Sequence, residues 1–223
     1  MRAAPLLGLV LVVLGTSACG SLAEAQQVIG RADLVNDLSA RLSAAEELTY
    51  SADYQLPGGK TASMARAQDP PRSAYTYPGG KLIVTGTETT ECAIAGPAAS
   101  CAVTPPPSPS ANPTGGLFTE PGRHGLIPPT VVVSLLTAAA LDPDAVIEQN
   151  DTTVAGEHAT CLNVRAVENA PASAFEACIT TAGVLGGFSG VVNGNQVELT
   201  LTRYSDTVDA AVFDLPTGAK IIR

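Results

Sequence analysis

Short runs of alternating apolar and polar residues dominate this chain and limit what it can fold into. After Asn193-Gly194, Val197, Leu199 and Leu201 alternate with Gln196, Glu198, Thr200 and Thr202. Earlier, Tyr50, Ala52, Tyr54 and Leu56 alternate with Thr49, Ser51, Asp53 and Gln55, and Pro57-Gly58-Gly59 ends the run. A period of two puts one set of side chains on a buried face and the other in water. Asn-Gly marks a tight hairpin. Strand-length runs bounded by turn residues recur between and beyond these: "KTASMARAQ", "RSAYTY", "KLIVTGTETTECAI", "SCAV", then "AVIEQNDTTVAG", "EHATCLNVRAV", "SAFEACITTAG", "VLGGFSGVV" and "VDAAVFDLP". The pattern predicts about ten antiparallel strands, and a sheet of that size curls.

Two segments break the strand pattern. From Asp33, a good N-cap, Leu34, Leu38, Leu42 and Ala45 recur at helical spacing, with Asp37, Arg41 and Glu46 off that line. This is an amphipathic helix in need of an apolar surface. After Pro128-Pro129, "TVVVSLLTAAAL" is apolar nearly all round and is stopped by Asp142-Pro143. A helix without a wet face belongs against core or against something greasy. Its β-branched start lowers helix propensity, so a strand beginning is open as well. The expected class is α+β: a large curved antiparallel sheet, a half-barrel, with helices covering its concave side. The chain has no Trp and few Phe and Tyr, so the core must be built from Val, Leu, Ile and Ala.

The start of the chain reads as an address. Arg2 precedes an apolar run from Pro5 to Leu14, and Thr16-Ser17-Ala18 supplies small residues for cleavage. The run is shorter than the roughly 20 residues that span a bilayer. Cys19 follows the small triplet directly, ahead of Gly20 and Ser21. The junction resembles the lipobox of bacterial lipoproteins, although Thr16 stands where an aliphatic residue is usual. That resemblance implies a diacylated Cys19 at the mature N-terminus. One acyl chain binds a membrane marginally, and two or three hold firmly. The division is a signal peptide at 1–18, a lipidated N-terminus and tether at 19–32, and one domain at 33–223. Within it, "TPPPSPSANPTGG" at 104–116 reads as an extended surface loop.

Four cysteines remain. Cys92 and Cys101 are symmetric about the turn Gly96-Pro97, and Cys161 and Cys178 about Asn169-Ala170. An even number in an exported chain suggests disulfides. Each pair falls opposite itself across a hairpin, so Cys92–Cys101 and Cys161–Cys178 are the expected bonds. Zinc is disfavoured by export, by the lack of a close Cys-x-x-Cys and by a total of two histidines.

Other chemistry finds little support. A formal net charge of −9 argues against nucleic acid and against attraction to anionic headgroups. "GGFSGVV" around Ser189 has its second glycine misplaced for a nucleophile elbow and lies in a strand run. His124 and His158 read as exposed loop and turn residues. Asp142 and Asp144 flank Pro143 and are more simply a helix stop than a calcium set. There is no glycine-rich phosphate cradle. The expectation is a non-enzyme without a cofactor or resident metal.

The order of elements is similar to that of the LppX/LprG group of actinobacterial lipoproteins, whose fold is like that of the lipoprotein carrier LolA. In "LDPDAVIEQNDTTVAGEHATCLNVRAV", Asp151, Thr152, Gly156, Ala159 and Thr160 resemble the family's turn and returning strand. The closing "LTRYSDTVDAAVFDLPTGAKI" resembles its last hairpin. The two cysteine pairs and the Pro/Ser loop depart from the best-known members. The resemblance implies a half-barrel that shields an acylated lipid in an apolar pocket for transport or chaperoning, on the outer face of the bacterial cell membrane. Some relatives are instead sensory or protein-binding modules, and that alternative stays open. The candidate pocket residues are Val132, Leu135 and Leu136 from the apolar helix, with Leu185 and Phe188 from the strand side.

Overall fold

The computed structural model describes residues 19–106 and 118–222. The expected signal peptide at 1–18 and residues 107–116 of the Pro/Ser loop lie outside the described residues, as do the side chains of residues 19–29 and 31. The first element is a helix, α1 (Cys19–Ala44). It begins where a tether was expected, fourteen residues ahead of Asp33, because Ala23, Glu24, Ala25, Gln26 and Gln27 all favour helix. Its buried stripe is Val35, Leu38, Leu42 and then Ala45, while Leu34 is only half-buried.

Six strands follow: β1 (Tyr50–Gln55), β2 (Thr61–Gln68), β3 (Pro71–Tyr77), β4 (Gly80–Thr85), β5 (Thr89–Ala95) and β6 (Ala98–Thr104). Two helices come next, α2 (Thr119–Arg123) and α3 (Pro129–Leu141), so the β-branched start of the apolar segment is helical from Pro129 onward. The chain then returns to strands: β7 (Val146–Val154), β8 (Glu157–Arg165), β9 (Phe175–Thr180), β10 (Leu185–Val192), β11 (Asn195–Ser205) and β12 (Lys220–Ile222). All twelve join one open sheet in the order β12-β6-β5-β4-β3-β2-β1-β11-β10-β9-β8-β7. The expectation of about ten antiparallel strands needs correcting: β12 pairs with β6 in parallel, which makes the sheet mixed.

A further correction concerns "VDAAVFDLP". It is not a strand of a last hairpin. Asp209 Oδ1 accepts from Ala211 N at 2.9 Å and caps a 3-10 turn over Ala210–Phe213. That turn lays Phe213 on the sheet face that carries Ala65, Ala74 and Ile83, with the Arg72 guanidinium 4.1 Å from its ring centre. Lys81 Nζ donates to Asp214 O at 2.6 Å and holds the segment there.

The main core lies on the other face. Tyr50, Ala52 and Tyr54 of β1 meet Met64, Tyr75 and Leu82 from β2–β4, and Val197, Leu199 and Leu201 from β11. Val35, Leu38 and Leu42 of α1 and Val131, Val132, Leu135, Leu136 and Ala139 of α3 belong to the same cluster. α3 is not buried all round, as Thr137 and Leu141 are exposed. The Tyr54 hydroxyl, fully buried in this core, donates to Leu185 O at 2.9 Å, and burial pushes its ionisation far above the usual range. Gly183, at φ +81°, places the β9–β10 turn against the C-terminal end of α1, where a Cβ would stand 2.6 Å from Arg41 O. Only glycine fits that conformation and that approach.

Both disulfides sit on the face away from α1 and α3. Cys92 and Cys101 are register partners of β5 and β6, with Cα atoms 4.0 Å apart. Cys161 and Cys178 are register partners of β8 and β9, at 3.9 Å.

Candidate functional site

The five residues proposed from sequence as a pocket lining come together, but as packed core. Val132, Leu135 and Leu136 from α3 and Leu185 and Phe188 from β10 are all buried and share one cluster. Phe188 stacks on Phe175 with ring centres 5.8 Å apart. Apolar strand and helix residues look alike in sequence whether they meet a ligand or each other, so periodicity could not separate the two.

The open space lies beside this set. Three stretches far apart in sequence enclose a groove of about 290 Å³. α2 and the chain before it bring Phe118, Thr119, Gly122 and Arg123. The link into α3 brings Leu126, Ile127, Pro128 and Val131, and the β10–β11 hairpin brings Val192, Asn193, Asn195 and Val197. Leu126, Ile127, Val131, Val192 and Val197 are buried and make an apolar floor. Thr119, Arg123, Asn193 and Asn195 make a polar rim. The volume is at the lower end of the roughly 300–1,000 Å³ typical of small-molecule sites. Its composition suits one acyl chain or one large apolar side chain, oriented by a few rim donors.

Local chemistry explains the groove. The Asn193-Gly194 turn, with both residues at positive φ, closes the β10–β11 hairpin and lifts Asn193 and Asn195 to the rim. Pro128 and Pro129 start α3 where a missing N–H costs nothing. α2 had no sequence signal: it is five residues long and contains Pro121 and Gly122. It is tied down by rings. Phe118 meets Tyr75 edge-on at 5.4 Å, and His124 stacks on Tyr77 at 5.4 Å. Arg123 pairs with Glu120 one turn back. Tyr77 can lie across β4 because Gly80, its register partner, has no side chain to collide with the ring.

Beside α2 the electrostatics are acidic. Burial, then the neighbouring Glu120, raises the Glu91 carboxyl above its ordinary value. Burial, then Glu91 and Glu120, pushes Tyr77 up to about 12. A carboxyl whose folded value is raised favours folding when protonated. Its stabilisation is present at low pH and is lost as pH rises through that raised value. Glu91→Gln is therefore expected to raise the melting temperature at pH 7 by a small amount, because water reaches most of this carboxyl. The two proteins should converge as the pH falls to the acidic range. Equal melting temperatures throughout would remove the repulsion from the account.

The opposite face holds a second, polar cleft of about 320 Å³ over the Cys161–Cys178 bond. Gly186 and Gly187, at a register shift in β10, keep its floor clear. Cys161, Glu176 and Cys178 offer three grouped ligand atoms. Both sulfurs are consumed by the disulfide, so no thiolate is left to hold a metal. Ser189 lies within β10, flanked in register by Glu176 and Glu198. His124 and His158 are both exposed. Asp142 accepts from Asp144 N at 2.9 Å and from Glu168 N at 2.7 Å, so it closes the turn after α3.

The chain matches no protein-family model and no curated protein sequence. Several solved structures are similar in fold. The complex of MucA and MucB from Pseudomonas aeruginosa aligns at TM-score 0.50 and 14% identity, over 81% of this chain and 60% of that chain. A crystal structure of MucB aligns at 0.47 and 13%, over 82% and 63%. An uncharacterized conserved protein from Thermus thermophilus aligns at 0.48 and 13%, over 84% and 98%. This chain thus spans about three-fifths of the MucB chain. At 14% identity the likeness to MucB is one of fold alone.

Proposed function

We propose that this chain is an exported, membrane-anchored LolA-like binding protein whose groove takes one acyl chain of a lipid, for transport or chaperoning. The observation that carries the reading is the apolar floor of Leu126, Ile127, Val131, Val192 and Val197 beneath a polar rim. The sheet face under α1 and α3 is the concave side in this reading. Two disulfides support export, since such bonds persist in oxidising compartments. The anchor is acylated Cys19, which the junction of small residues with cysteine supports. Neither an enzymatic step nor a cofactor is part of the proposal.

A second reading has its own observation in favour. Val132, Leu135, Leu136, Leu185 and Phe188 are packed against one another, so the groove is shallow. A shallow groove of about 290 Å³ also fits an apolar side chain of a protein partner. The protein would then be an interaction or sensory module.

Phe118 stands half-buried at the lip, which makes it a usable probe. Phe118→Asp should still fold, with a lowered melting temperature because it gives up the ring contact with Tyr75, and should weaken uptake of a fluorescent fatty acid about tenfold or more, given roughly 1.5–3 kcal/mol for a buried Phe side chain. Binding to the unmodified protein should vary little with salt. Full uptake by the folded variant would place the site elsewhere. No uptake by the unmodified protein would favour the protein partner.

A further inference from the structure

The two ends of the sheet differ in what they carry. At one end, Arg41 and Ala45 at the close of α1 meet Gly183 in the β9–β10 turn. Nearby, Glu46 O accepts from Arg66 Nη1 at 2.7 Å and from Gln68 Nε2 at 2.8 Å. The other end carries the groove, α2 and both ends of α3: Val131 lies by Val192, and Asp142 by Glu168 after β8. α1 finishes at the first end and packs against α3 at the second. Going back from Ala44 toward Cys19, the axis of α1 therefore runs toward the groove end. Among the described side chains of α1, Val35 is the first that is buried, and Gly30 has open space around it. From Cys19 to Val35 the helix spans about 24 Å at 1.5 Å per residue.

We infer that the groove-bearing end of the sheet faces the bilayer, with the N-terminal half of α1 as a spacer that sets its distance from the lipid. The inference rests on the reading that Cys19 is acylated. The chain's anchor point and the groove mouth share one end. So do the exposed apolar side chains of Leu141, Val191 and Val146, the first of them at 79%. Charge does not do the holding. At this end Arg123 and Arg165 are each paired with a glutamate, and Asp142, Asp144 and Glu168 add negative charge. Attraction to anionic headgroups is thus weak, and the acyl anchor and the helix set the orientation. A lipid leaving the membrane would meet the groove without the protein having to turn over.

The test uses the whole protein, made in a bacterial envelope and reconstituted on phosphatidylcholine vesicles that carry a fluorescent lipid acceptor. With Cys19 acylated and four cysteines in disulfides, a new exposed thiol labels selectively. Gln196→Cys marks the groove end and His158→Cys the opposite end. Energy transfer to the bilayer should be several-fold stronger from residue 196. Gly30→Pro should erase the difference while the protein still floats with the vesicles. Equal or reversed transfer in floating protein would overturn the orientation alone. Protein that does not float would overturn the anchor, and this inference with it. An unchanged difference in Gly30→Pro would remove the helix as the spacer.

Discussion

Leu136→Ala is expected to lower the unfolding free energy by about 2–5 kcal/mol, the cost of a cavity left in a packed interior. Leu136 is fully buried in the cluster shared by α1, α3 and the sheet, so little can collapse into the gap. Leu136→Asp should not fold, because a carboxylate there would be buried without a partner. Urea unfolding of the alanine variant measures the first effect, and circular dichroism of the aspartate variant the second. Leu136→Ala should leave acyl binding in the neighbouring groove largely intact under native conditions. A variant that kept full stability and lost binding would show that Leu136 faces ligand, and that the groove is deeper than its lining suggests.

Loss of the Cys161–Cys178 bond comes next in size. The two cysteines are 17 residues apart, and in the chain-entropy view closing such a loop contributes about 3 kcal/mol. Cys161→Ala/Cys178→Ala should lose roughly that much. The Cys92–Cys101 loop is shorter, with a separation of 9, and should lose slightly less. Domains are stable by only about 5–15 kcal/mol, so removing both bonds would use a large share of that margin. Chemical denaturation of the two double variants checks the sizes. Non-reducing peptide mapping checks the pairing, and a Cys101–Cys161 link would contradict the strand order itself.

Much of the fold was legible because it rests on local periodicity. Tyr50, Ala52 and Tyr54 alternate in sequence and are buried in β1. Cysteines symmetric about turns became register partners, since a hairpin maps equal distances from its tip onto each other. What failed did so for physical reasons. The start of α1 was misplaced because Asp33 is a good N-cap, while the Ala/Glu/Gln-rich stretch before it sustains helix. Val208, Ala210 and Val212 alternate as strand residues do, but the Asp209 cap and Phe213 packing turned them into a 3-10 turn. β12 is three residues long, too short to leave a periodic trace. The groove was illegible for another reason. Its walls come from residues near 118, 127, 131, 192 and 197, and only the tertiary fold brings them together. The α3 residues singled out from sequence pack in the core, one residue away from Val131, which lines the groove.

The central claim is that this protein carries an apolar ligand, and native mass spectrometry of residues 20–223 from a bacterial envelope tests it most directly. The account predicts one lipid retained per folded chain, displaced by a fluorescent fatty acid and absent from Phe118→Asp. A folded, unmodified protein that arrives without lipid and takes up no acyl probe would contradict it.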